Sequence, residues 1–92
     1  MNDNDRKIYL AAIGKYGIDH QIKKSIEELA ELQIELSRKN GKRYDRDKVL
    51  EEIADVQIMI DQLMFIFDTN PYKIGCIKKL KLDRLEKKIS EE

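Results

Sequence analysis

Residues 26–32 read I-E-E-L-A-E-L, and residues 50–56 read L-E-E-I-A-D-V. Position by position the two stretches agree in type: apolar, Glu, Glu, apolar, Ala, carboxylate, apolar. On a helix, residues three apart share a face. Glu28 and Glu31 therefore project together from one helix, and Glu52 and Asp55 from another. Four carboxylates carried this way are expected to converge on a divalent cation. The alternative is two ordinary solvated helix faces.

Outward from these two stretches the chain reads as four helices. The first is expected from about Asp3 or Asn4 to Lys15, with Gly14 and Gly17 marking its end. The second runs from Asp19, as N-cap, to Asn40, with Gly41 closing it. Its apolar stripe is Ile22, Ile26, Leu29, Leu32 and Leu36. After the short polar loop G-K-R-Y-D, Asp45 or Asp47 caps a third helix that ends near Asp68. The stripe of this helix is Val49, Ile53, Val56, Ile60, Leu63 and Phe67. Asn70 as N-cap and Pro71 at the first helical position announce a fourth helix, expected to reach about Ile89.

The short connection makes the second and third helices antiparallel neighbours. Counted outward from Arg43, the pairs 28/31 and 52/55 are level to within about three residues, roughly 4–5 Å of helix rise. Between Val56 and Phe67, nine of twelve residues are apolar, too many for a single surface stripe. A chain of 92 residues makes one domain, residues 1–92. It buries only about 60–65% of its unfolded surface, so a second subunit is expected to cover the rest. The fold expected is all-α, like a four-helix bundle and completed by oligomerisation as a homodimer or homotetramer.

Composition narrows the function. With 18 basic and 18 acidic residues the net charge is zero, which argues against a nucleic-acid partner bound through neutralised phosphates. The charge is uneven: residues 45–68 carry seven acids and two bases, and residues 71–92 seven bases and four acids. One cysteine, Cys76, allows no internal disulfide, and the M-N-D-N-D start shows no secretory leader, so a reducing cytoplasm is the expected location. No apolar run approaches the ~18–20 residues of a membrane span.

Clustered carboxylates repel one another, and a cation resolves the conflict. All-oxygen ligands select a hard ion, Mg²⁺ first and Mn²⁺ or Ca²⁺ next, rather than zinc. Mg²⁺ keeps open positions for water and phosphate oxygens, which suits a nucleotide-phosphate site.

The segment E-E-L-A-E-L, a gap, then E-E-I-A-D-V resembles the E-x-x-E … E-x-x-D signature of the MazG-like all-α NTP pyrophosphohydrolases. The lead-in K-Y-G-I-D-H-Q-I and the tail K-L-K-L-D-R-L-E-K-K-I are also similar to small single-domain members of bacteria and their phages. The resemblance implies that Glu28, Glu31, Glu52 and Asp55 ligate Mg²⁺. It further implies hydrolysis of a nucleoside triphosphate to the monophosphate and pyrophosphate. Glu27 and Glu28 are then the candidates for activating water, and Lys78, Lys81 and Arg84 for holding phosphates. Tyr16 and Gln21 are the candidates for a base pocket. No Asn follows Lys81, where many relatives have one. Two other readings stand beside this one: a phosphoribosyl-ATP pyrophosphohydrolase, and a helical oligomerisation module without catalysis.

Overall fold

The computed structural model of the chain describes residues 1–38, 44–67 and 70–92, with the backbone alone for Pro71. It is all-helical, with α1 spanning Asp3–Tyr16, α2 Ile18–Ser37, α3 Arg46–Ile66 and α4 Pro71–Glu91. The described residues contain no strand.

Local signals account for the helix starts. The Asn2 side chain accepts from the Asp5 N–H at 2.8 Å, with Asp3 and Asp5 favourably placed in the first turn of α1. Asp45 caps α3 by accepting from the Lys48 N–H, and Asn70 caps α4 by accepting from the Lys73 N–H at 2.9 Å. Asp19, expected as the cap of α2, lies inside its first turn instead, because Gly17 both ends α1 and opens α2. Gly17 has φ +92°, which a side chain would strain. That lets the chain turn in one residue and leaves no position for a separate side-chain cap. α2 ends at Ser37, short of Asn40; the expected closing Gly41 and the turn at Arg43 lie outside the described residues. α4 continues two residues past Ile89, to Glu91.

Helices α1, α2 and α3 pack on one another, with α2 against α3 the most extensive contact. Gln21 meets Gln62 near one end, and Glu31 meets Glu52 further along. The residue order therefore runs oppositely in the two helices, and they are antiparallel.

The faces in contact coincide only in part with those that hydrophobic periodicity singles out: Val56 of the α3 stripe is buried, but most of the buried positions lie off the stripes. Buried positions are Gln21, Ser25, Glu28 and Glu35 on α2, and Val56, Met59 and Gln62 on α3. Ile26 and Leu29 are 61% and 49% exposed, and Ile60 46%. At 100° per residue, each helix is turned about 80° from the orientation that would bury its apolar stripe. Ser25, 3% exposed, has a side chain small enough for α2 to lie close to α3 here. Its hydroxyl is satisfied by the Gln21 carbonyl at 2.8 Å. Of the two apolar stripes, Val56 is buried and Ile22, Leu32, Val49 and Leu63 are half-buried, whereas Ile26, Leu29, Leu36, Ile53, Ile60 and Phe67 lie on the outside of the hairpin.

Met59, 5% exposed, is the most buried apolar side chain between the helices. Met59→Ala is expected to lower stability by about 2–4 kcal/mol in urea unfolding. Ile26→Ala, at concentrations low enough to keep chains apart, should cost no more than about 0.5 kcal/mol.

Candidate functional site

Turning the acid-bearing faces inward gathers carboxylates between α2 and α3. Glu28, Glu31 and Glu52 each offer one oxygen, and the three lie within 4.8 Å of one another. Glu28 is buried, Glu52 half-buried and Glu31 exposed, so the group runs from the helix interface to its mouth. Asp55, expected as the fourth member, is exposed and stands outside this set. Its side chain is one methylene shorter than a glutamate's. Its charge still reaches Glu52.

The electrostatics are strained. Glu28 Oε1 accepts from Lys24 Nζ at 3.1 Å, a pair one helical turn apart. That bond, with the charge of Glu28 behind it, raises the pKa of Lys24. Glu28 Oε2 and Glu52 Oε2 are both buried without a hydrogen-bond partner. Orphaned buried carboxylate oxygens are uncommon because their desolvation is uncompensated. The Glu52 carboxyl is raised above its ordinary value, first by burial and then by the charges of Glu31, Asp55 and Glu28, with a hydrogen bond to Glu31 contributing.

An oxygen-only set with two unpartnered oxygens fits a hard divalent cation. Ligands around Mg²⁺ at ~2.1 Å sit roughly 3–4 Å apart, and around Ca²⁺ at ~2.4 Å roughly 3–5 Å, so a small contraction of the three glutamates suffices. Glu27 points elsewhere: it is exposed and lies 3.9 Å from Lys24. With His20 and Lys23, these two residues line a small polar cleft beside the carboxylates.

The other expected site residues are distributed differently. Tyr16 is 53% exposed and stacks on His20, ring centroids 5.2 Å apart. Gln21 is buried, and its carboxamide is engaged at both ends. Its Nε2 donates to Gln62 Oε1 at 2.7 Å, and its Oε1 lies 2.7 Å from His20 Nδ1. Lys78, Lys81 and Arg84 are exposed on α4, which is not packed on α2 or α3 where the carboxylates gather.

Two polar contacts escaped sequence reasoning. Gln62 is 4% exposed, and its Nε2 has only the Met59 sulfur, a weak acceptor at 3.7 Å. Tyr9 donates to Asp61 at 3.1 Å across α1 and α3, and burial and then the Asp61 bond raise its pKa. The available signal was the pair Asp61–Gln62 interrupting an otherwise apolar run. Length and polarity alone could not tell which face it lay on.

A carboxyl that titrates higher in the folded than in the unfolded state binds more protons when folded across that window. The metal-free protein should therefore lose stability as pH rises from the ordinary glutamate range through the raised Glu52 value. Thermal melts in chelator across this range should show the decline, and Glu52→Gln should flatten it.

No family model matches the sequence, and no curated protein or solved structure is significantly similar to it.

Proposed function

We propose that the chain is a Mg²⁺-dependent nucleoside triphosphate pyrophosphohydrolase, cleaving between the α- and β-phosphates. One observation carries this reading: three glutamates from two helices share one small volume, with two buried carboxylate oxygens lacking any partner. Glu28, Glu31 and Glu52 hold the cation, with Asp55 at the edge as the fourth ligand. Mn²⁺ serves in place of Mg²⁺, since both accept an all-oxygen set. When bound, the ion supplies charge neutralisation on the triphosphate.

The chain's own residues do the rest. Glu27, in the polar cleft next to Lys24, takes a proton from the attacking water, or Glu28 does so where Lys24 leaves it free. The water oxygen bonds to the α-phosphorus, the bond to the bridging oxygen breaks, and pyrophosphate leaves with that electron pair. Lys78, Lys81 and Arg84 hold the phosphates. Tyr16, stacked on His20, offers an aromatic surface for the base, and Gln21 stands behind it. A second copy, as a dimer or a dimer of dimers, covers the exposed apolar stripes and completes a bundle of four helices around each site. The lone exposed cysteine suits a reducing cytoplasm. No described helix is long and apolar enough to cross a membrane.

The exposed apolar surface also favours a second reading, a helical oligomerisation module without catalysis. Melting separates the two. Mg²⁺ at about ten times its Kd should raise Tm by roughly 5–10 °C, whereas a module would be indifferent to it. For the reaction itself, a panel of canonical and modified (d)NTPs should release pyrophosphate; orthophosphate alone would contradict α–β cleavage. Glu31→Gln and Asp55→Asn should each lower turnover at least ~100-fold with helical circular dichroism unchanged.

A further inference from the structure

Among the described residues, Lys24 alone forms an ion pair with a member of the Glu28–Glu31–Glu52 group. Its place on α2 decides how it meets Glu28. Lys24 lies one turn before Glu28 and Glu31 one turn after it, and at 100° per residue all three fall within an arc of about 60°. The ammonium therefore approaches Glu28 from one end, and the rest of the acidic group from the other.

The two oxygens of Glu28 are thereby made unequal. Oε1 stands 3.1 Å from Lys24 Nζ, while Oε2 is buried and has no partner. Glu28 as a whole is 8% exposed, so bulk water does little to level the difference. Glu52 is divided in the same way: it is hydrogen-bonded to Glu31, and its Oε2 is buried and bare. The number of oxygens each carboxylate can give separates hard cations that charge alone does not. Mg²⁺ demands about six ligands in a near-octahedral shell at ~2.1 Å, which suits one oxygen from each carboxylate. Ca²⁺ takes about six to eight at ~2.3–2.6 Å and often grips a carboxylate by both oxygens.

We infer that Lys24 is a specificity-determining residue: by keeping Oε1 of Glu28 it holds that carboxylate to a single oxygen and favours Mg²⁺ and Mn²⁺ over Ca²⁺. The inference rests on the cation site proposed above. Lys24 is tethered to the same helix as Glu28, and its ammonium is a compact charge with three donors, so it keeps Oε1 while Oε2 turns to the ion. Like charges repel, and Lys24 therefore weakens the binding of every divalent ion by a similar factor. What it sets is the preference between ions.

Calorimetric titration of the full, metal-free chain with magnesium chloride and with calcium chloride tests this without any nucleotide. Lys24→Met keeps an unbranched apolar stem and removes the charge and the donors. It should tighten both ions through the lost charge, and the ratio of the Mg²⁺ Kd to the Ca²⁺ Kd should rise at least ~10-fold, because Glu28 then offers both oxygens. Lys24→Arg, which keeps a cationic donor, should show no such shift. A lysine acting only as a charge moves the two affinities together. A Lys24→Met ratio within about threefold of wild type, or an equal shift in Lys24→Arg, overturns the inference and leaves the cation site standing.

The wild type alone gives a second reading, which holds even where a variant fails to fold. It should bind Mg²⁺ at least as tightly as Ca²⁺. Ca²⁺ held ~10-fold or more tightly than Mg²⁺ overturns the role of Lys24. A wild type that binds neither ion removes the cation site itself, and the inference with it.

Discussion

The contact between α2 and α3 is made through acids and amides, and most of the molecule follows from that choice of face. Two amphipathic helices placed side by side would ordinarily bury their leucines and isoleucines. Here Ser25, Glu28, Met59 and Gln62 occupy the interface. An interface of this kind is specific rather than strong. Val56 and Met59 contribute about 1.5–3 kcal/mol each through burial, while the glutamates detract unless something neutralises them. Lys24 neutralises one oxygen of Glu28. The remaining repulsion shows as the raised Glu52 carboxyl and is the energy a bound cation would relieve.

The same rotation explains the exterior. Turning the acids inward leaves Ile26, Leu29, Ile53 and Ile60 outward, so the site and the apolar surface arise from one geometric fact. α4 likewise leaves apolar side chains exposed, among them Leu80, Leu82 and Ile89.

Further along the hairpin the interface turns from acidic to neutral. The Gln21–Gln62 pair, with His20 on one side and the Met59 sulfur on the other, forms a buried amide link about two turns from the glutamates. Tyr9 and Asp61 tie α1 to the same end of α3. Paired polar groups in a low dielectric fix register more firmly than apolar contacts of the same size. They hold α2 and α3 in the alignment that brings Glu31 to Glu52. The stacked Tyr16 and His20 rings lie at this neutral end.

Much of this was legible in the sequence, for local reasons. Asn70–Pro71 and Asp45 mark helix starts through hydrogen bonds made within one turn, and spacings of three and four fix which residues share a face. The repeated pattern thus put Glu28 with Glu31 on one helix face and Glu52 with Asp55 on another, and three of these four carboxylates come together in the structure. Which side of each helix meets its neighbour is not local. It depends on the summed contacts of Ser25, Gln21, Met59 and Gln62, whose individual preferences are weak, and only the tertiary structure decided it. The structure also moved Asp55 to the rim, paired Gln21 with Gln62 and set α4 apart from its own hairpin. Periodicity defines a helix's faces but carries no information about rotation about its axis, because that angle is set by partners far away in the chain.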